Sequence, residues 1–375
     1  MKIMNVGFVG CGGFTQGVHI PSVRNNPNFR IKALCDLNES ILAELNTKYA
    51  PDYVTTDFNR IALDSNIEMV IIGTTPNVRV EPIRAMAEHG KHMYVEKPMS
   101  LGYEDSKIIV DIVNRTGVKL QVGFNRSYSA IMQQAKKVFK QIRKNTVLIS
   151  YRIVGEDILW PKFHYDNVVS DKSNTIIHET THIFDLLNWF TDSKPLRVYV
   201  IGGKSDNNIL ALEYPGNIYV SIVSGSCGTE AYPKEQMEVF TDNKVITMED
   251  FVELRFTRIP GQQDMLFPLK SNPSRAQANS LSFSDLRHDL MKWRDALTCH
   301  DIEQGYYYHS RPCVDKGHKD ALQFLYEAIR NNMPTQTDQY SGAVSTITGI
   351  EAVKSLHTGL PINLDFSFLN DDKNS

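Results

Sequence analysis

The chain has 375 residues, 42% hydrophobic and 22% charged, the balance of a soluble globular protein long enough for two cored domains. A formal net charge of −3 gives no electrostatic case for nucleic acid or an anionic membrane as partner. No apolar run approaches the roughly 18 residues that a bilayer span requires.

Cysteines 11, 35, 227, 299 and 313 are odd in number and scattered, with no Cys-x-x-Cys. They read as reduced thiols rather than a disulfide frame or a zinc cluster. The first strand begins within a few residues of the N-terminus, so no export signal is read there and the expected location is the cytoplasm.

In chain order, Met4–Val9 is a short apolar run suited to a buried strand. It leads into Gly10-Cys11-Gly12-Gly13-Phe14-Thr15, a helix-length stretch, and a second apolar run, Ile31–Cys35, that ends at Asp36. Strand, glycine turn, helix, strand and acid form the layout of a dinucleotide-binding unit. Gly10 and Gly12 let the backbone turn and approach a pyrophosphate, and the helix behind them offers free N–H groups. Asp36 stands where a carboxylate would accept hydrogen bonds from an adenosine ribose. Thr15 replaces the pattern's third glycine, a position that serves helix–strand packing more than phosphate contact. A carboxylate at 36, with no arginine at 37 or 38 to offset it, predicts NAD rather than NADP.

Helix and strand patterns then alternate: helices over Asn38–Tyr49, Asp57–Asp64, Pro82–His89 and Asp105–Asn114, and strands over Met69–Ile72, His92–Val95 and Leu120–Val122. This predicts an α/β fold with a doubly wound parallel Rossmann sheet, whose ligands lie beyond the carboxyl ends of the strands. Residues 10–15, 36, 73–77, 96–98 and 123–126 would surround one crevice. The cofactor candidates are Gly10, Gly12, Gly13, Phe14, Thr15, Asp36, Thr74, Thr75, Pro76, Asn77, Glu96 and Lys97. Lys97, at the end of a sheet strand, could donate to a substrate oxygen and stabilise its developing negative charge.

After about residue 145, longer strand runs appear at Val147–Ile153, Arg197–Ile201, Ile209–Tyr214, Ile218–Val223 and Met237–Phe240. Hairpin turns are expected at 215–217 and 241–244. Helical patterns return at Asp285–Leu297, Lys319–Asn331 and Ala343–Leu356, and residues 257–284 read as a long loop. The expected organisation is an NAD-binding domain over 1–124, an α+β domain with a large, mostly antiparallel sheet for substrate binding and oligomerisation over 125–369, and a polar tail over 370–375. A broad sheet with one open face predicts a homodimer or homotetramer.

The segment His178-Glu179-Thr180-Thr181-His182 fits the zinc-peptidase pattern His-Glu-x-x-His. No third ligand is identifiable and a peptidase has no use for a dinucleotide-binding half, so no metal is assigned. Arg126, Tyr128, Trp160, His164 and Glu179 are candidate substrate contacts, with Tyr306–His309 and Asp315–His318 as further stretches that could line a cleft.

The chain resembles the glucose–fructose oxidoreductase, inositol dehydrogenase and rhizopine-catabolism family, Gfo/Idh/MocA. The resemblance rests on Gly10–Gly13, Thr75-Pro76-Asn77, Gly90–Pro98 with its Glu96-Lys97-Pro98, Gly123-Phe124-Asn125-Arg126, His178 with His182–Asp185, and the closing Ala352–Gly359. It implies an NAD(P)-dependent dehydrogenase or reductase of sugars, inositols or related polyols, with Lys97 and His182 as the catalytic pair. Two departures stand out. The family's aspartate four residues before the histidine is His178 here, which could join a proton relay, with Glu179 as a substitute carboxylate. The histidine often found three residues after Asn77 is Val80. Some relatives retain NAD and oxidise a sugar only transiently, to eliminate a glycosidic substituent, so a glycosidase or lyase is the alternative reading. A non-catalytic NAD-sensing protein is a third.

Overall fold

A computed structural model of the chain describes residues 3–156, 175–203, 207–267, 282–303 and 310–369. Trp160, His164, Tyr306–His309 and the 370–375 tail lie outside the described residues. Two compact units are present: Met1–Phe124 with Lys319–Ile347 and Phe366–Ser375, and Asn125–His318 with Thr348–Asp365.

The first unit is built on six parallel strands: β1 (Met4–Val9), β2 (Phe29–Cys35), β3 (Tyr53–Thr55), β4 (Met69–Ile72), β5 (His92–Val95) and β6 (Leu120–Val122). Their order is β3-β2-β1-β4-β5-β6, the doubly wound order that opens a crevice where the chain reverses between β1 and β4. All four residues of β4 are buried, as a parallel strand covered on both faces requires.

A π-helical turn, Thr15–His19, leads into α1 (Ile20–Arg24). The helices that follow are α2 (Glu39–Tyr49), α3 (Phe58–Leu63), α4 (Val80–Glu88) and α5 (Tyr103–Thr116). The Asn38 side chain caps α2 by accepting from the N–H groups of Ser40 and Ile41, and Gly117 ends α5 in the left-handed region.

The second unit carries a nine-stranded sheet. Its strands are β7 (Val147–Val154), β8 (Arg197–Gly202), β9 (Asn208–Tyr214), β10 (Ile218–Gly225), β11 (Glu235–Thr241), β12 (Lys244–Glu249), β13 (Glu253–Thr257), β14 (Met265–Leu266) and β15 (Ile362–Asn363). The order is β14-β13-β12-β11-β7-β10-β9-β8-β15, antiparallel throughout except for the β7–β10 pair. Between β11 and β12 the two turn residues Asp242 and Asn243 both have positive φ, the backbone of a tight hairpin that Asp and Asn tolerate.

Burial alternates along β7, β9 and β10. The inner face packs against helices α6 (Ala130–Ile142) and α7 (Thr181–Thr191), where Phe139 and Phe190 stack with centroids 4.6 Å apart. The unit also contains α8 (Phe283–Ala296) and the short α9 (Cys299–Glu303).

Helix α10 (His318–Arg330) and most of the first half of α11 (Gln339–Thr358) belong to the first unit. Residues 335–337 run along β6: Val122 N–H donates to Thr337 O at 2.7 Å and the Thr335 hydroxyl to Leu120 O at 2.8 Å. The edge strand is thereby covered. Arg330 completes this attachment with an ion pair to Glu68 at 2.7 Å.

Candidate functional site

The first unit brings its cofactor candidates together at the β1/β4 reversal. Gly10 has φ +88°, and a Cβ there would lie 2.7 Å from the Thr74 nitrogen. A Cβ on Gly73 would lie 2.2 Å from Thr15 Oγ1 and 2.9 Å from Gly10 O. The turns after β1 and β4 are therefore in backbone contact. The departure at Thr15 is accommodated from the opposite side, because its hydroxyl occupies the space that Gly73 leaves free. A Cβ on Gly12 or Gly13 would meet nothing within 4 Å, so this stretch of backbone is open to an approaching pyrophosphate.

Asp36 is fixed by two backbone donors, Cys11 N–H to Oδ2 at 2.7 Å and Asn38 N–H to Oδ1 at 2.9 Å. A carboxylate has about four lone-pair sites, so capacity remains for ribose hydroxyls. Burial, reinforced by the Asp36 charge, pushes the Cys11 and Cys35 thiols up to about 12. Both are packing residues without thiolate character. Phe14 is 40% exposed and stands edge-on to His19.

Lys97 follows β5 within Glu96-Lys97-Pro98, where the Lys97–Pro98 bond is cis. Its neighbour Glu96 is the hub of the loop. Glu96 Oε1 lies 2.6 Å from His19 Nε2, and Oε2 accepts the Lys97 N–H at 3.1 Å. Burial alone would raise the Glu96 carboxyl. The His19 hydrogen bond and the charges of His19, Lys97 and Arg79 outweigh it and hold the group below the usual range. Gly123 leaves room for this carboxylate, since a Cβ there would lie 2.9 Å from Glu96 Oε1.

Arg79, two residues beyond Asn77, is 2% exposed. Its Nη1 donates to the carbonyls of Glu96 and Pro98, and its Nη2 to the carbonyl of Thr74. Burial brings its guanidinium down to about 10, opposed by the Glu96 charge. Sequence reading named neither Arg79 nor His19. Their only local sign is a cation and an imidazole close to cofactor motifs, because the partners come from other loops.

In the second unit, His178 and Glu179 lie on a π-helical turn (Ile176–Thr180) that runs directly into α7, which carries His182 and Asp185. His182 is 8% and Asp185 2% exposed. Gly349 lets α11 approach this segment, as a Cβ there would lie 3.1 Å from Ile177 and 3.4 Å from Thr181. Glu179 pairs with Lys234 at 3.3 Å. Thr180 and Ser224 hydroxyls bond at 2.8 Å and tie the turn to β10.

Arg126 and Tyr128 sit on a buried 3-10 turn. Arg126 grips Glu235 with two bonds, Nε to Oε2 at 2.7 Å and Nη2 to Oε1 at 2.8 Å. Tyr151 donates to the same carboxylate at 2.7 Å, and the Lys316 ammonium donates to its Oε1. Burial would raise Glu235, but Arg126 and Lys316 hold it well below the usual range. Lys316 is itself lowered, by burial first. Arg126 therefore spends its planar edge on Glu235. Among the described residues, no group of three His, Cys, Asp or Glu side chains gathers to hold a metal, and no helix is long and apolar enough to cross a membrane.

The model of an oxidoreductase family with an NAD-binding Rossmann fold, GFO_IDH_MocA, matches residues 4–124. An uncharacterized oxidoreductase, YrbE, of Bacillus subtilis is 22% identical over 366 residues, 97% of each chain. The inositol 2-dehydrogenase/D-chiro-inositol 3-dehydrogenase of Lactiplantibacillus plantarum is 22% identical, covering 97% of this chain and 94% of its own. Among solved structures, the scyllo-inositol dehydrogenase of Lactobacillus casei with bound NAD(H) and scyllo-inositol shares the fold at a TM-score of 0.72 and 15% identity, over 96% of this chain and 99% of that one.

Proposed function

We propose that the chain is a Gfo/Idh/MocA oxidoreductase, the family whose model matches residues 4–124, and that it moves hydride between NAD and a secondary alcohol of a sugar, inositol or related polyol. The observation that carries this reading is the loop after β5, where Glu96 and Arg79 hold the backbone on both sides of Lys97. An NAD-binding oxidoreductase acting on CH–OH groups is what the family and its inositol dehydrogenase relatives support. The inositol dehydrogenase relatives direct the proposal to cyclic polyols.

Gly10, Gly12, Gly13, Phe14 and Thr15 would hold the pyrophosphate, Asp36 the adenosine ribose, and Thr74–Asn77 with Glu96 the nicotinamide side. Bound NAD supplies the hydride acceptor. Lys97 donates a hydrogen bond to the substrate oxygen and stabilises its alkoxide character. His182 takes the hydroxyl proton as general base and returns it in the reductive direction. His178 and Glu179 would support His182, with Glu179 steadied by Lys234. Tyr128, Trp160 and His164 are assigned to the substrate, and Arg126 acts there only through Glu235.

The fixed Asp36 carboxylate would repel a 2′-phosphate, and the adjoining Leu37, 89% exposed, offers no cation to receive one. NAD is accordingly the proposed cofactor over NADP. The outward face of the nine-stranded sheet exposes Leu148, Tyr199, Ile209, Tyr219, Val223 and Phe240. A second copy covering this face would give a homodimer or homotetramer. A cytoplasmic location accords with five free cysteines.

The test is nicotinamide absorbance on mixing the protein and NAD⁺ with inositols, sugars, sugar acids and aryl glycosides. NADH formed with one alcohol class supports the dehydrogenase. Aryl alcohol released without net NADH transfers the assignment to the oxidation–elimination glycosidase.

A further inference from the structure

Among the described residues of the first unit, Arg79 is the most deeply buried arginine or lysine, and it takes no part in the proposed proton and hydride transfers. A guanidinium presents five N–H donors in a rigid fork. Here the fork reaches three carbonyls from two separate loops: Thr74 O at the end of the β4 loop's entry, and Glu96 O and Pro98 O after β5. The last two carbonyls flank Lys97. Its charge is balanced by Glu96, which His19 binds from the glycine-turn helix. A side chain needed only to fill this space would be apolar, since a buried guanidinium has a large desolvation cost that only such partners offset.

We propose that Arg79 is a positioning residue that indexes Lys97 to the nicotinamide half of the cofactor site by fastening the loops after β4 and β5 to one rigid cation. This rests on the reading of Lys97 and the Rossmann crevice given above. The adenosine half of a dinucleotide lies with β1, β2 and Asp36, and the nicotinamide half with β4, β5 and β6 across the reversal point. Loss of Arg79 should therefore affect one half of the ligand and spare the other. A residue with a merely structural role would affect both halves alike.

The experiment measures affinity for NADH and for ADP-ribose in wild-type protein, Arg79→Lys and Arg79→Met, with thermal melts of all three. Arg79→Met is expected to weaken NADH about tenfold, because the loops that would meet the nicotinamide half lose their shared anchor. ADP-ribose should stay within about twofold in the same variant, because its contacts lie outside the fastened loops. Arg79→Lys, which keeps the charge but lacks the fork, should fall between and remains informative if the methionine variant does not fold. On a polyol that the wild type oxidises, the lysine variant should lose about 10²-fold in kcat with little change in KM, the signature of a misplaced catalytic group.

Equal weakening of both ligands, or unchanged NADH affinity in a folded variant, overturns the role given to Arg79. Wild-type protein that binds NADH yet oxidises no polyol overturns the substrate reading alone, and the NADH to ADP-ribose ratio still decides the role of Arg79. Wild-type protein that binds neither ligand overturns both.

Discussion

Glu235 offers the most quantitative test of how the second unit is held. The carboxylate is 0% exposed and accepts four hydrogen bonds, from Arg126 Nε and Nη2, Tyr151 Oη and Lys316 Nζ. Glu235→Gln keeps the shape but removes the charge, and in either amide orientation turns its NH₂ toward the Arg126 guanidinium, which cannot accept it. Breaking a buried ion pair from one side costs about 3–5 kcal/mol, because the partner charge stays buried. That is a large part of the roughly 5–15 kcal/mol by which a domain is stable.

Urea unfolding followed by tryptophan fluorescence is the assay. The described tryptophans, Trp189 and Trp293, lie in the second unit, so their signal reports that unit. The pH dependence has a definite sign. Glu235 is depressed in the folded protein, so its contribution is complete above the unfolded carboxyl value, about 4.3, and is lost as pH falls toward the folded value. The gap between wild type and Glu235→Gln should be constant above about pH 5 and close below it. In a double-mutant cycle, Arg126→Met with Glu235→Leu should cost about 1–3 kcal/mol less than the two single changes summed. A Glu235→Gln cost under about 1 kcal/mol, or a gap that does not change with acid, would refute the argument.

Two further predictions come from the first unit. Gly10→Ala should fold but lose at least about tenfold in NADH affinity, since its φ of +88° and a Cβ 2.7 Å from Thr74 N force the β1 and β4 turns apart; titration of NADH fluorescence checks it. In a thiol-labelling time course at pH 8, Cys227 and Cys299 should react first because they are exposed. Cys11 and Cys35, buried with thiols near 12, should stay unmodified until unfolding.

The first unit was more legible in the sequence than the second, for physical reasons. A buried parallel strand is a short unbroken apolar run, as Met69–Ile72 is, and a glycine with an obligatory turn is visible as a letter. The hairpin at 241–244 was legible because Asp and Asn mark the two positive-φ positions. Helix α6 was not read at all. Its apolar positions, 131, 132, 135, 138, 139 and 142, have helical spacing but are separated by Gln and Lys pairs that read as surface. The β12–β13 pair was equally hidden among charged residues.

Site chemistry divides in the same way. Lys97 and His182 stand in motifs. Arg79 and Glu235 look like ordinary surface charges, and what buries them comes from elsewhere in the chain: carbonyls 17 and 19 residues from Arg79, and cations 109 and 81 residues from Glu235. Residues 335–337 likewise cover β6 from more than 200 positions away. No local pattern records such contacts.

The central claim is that Lys97 serves the reacting oxygen of an alcohol oxidised with NAD. It is tested most directly by following NADH formation from an inositol and sugar panel in wild type and Lys97→Met, with NAD⁺ and NADP⁺ in parallel and NADH affinity measured for both proteins. The account predicts turnover by wild type with NAD⁺ in preference to NADP⁺. It predicts a loss of at least about 10³-fold in Lys97→Met, with NADH affinity retained. Wild-type rates in Lys97→Met would contradict it.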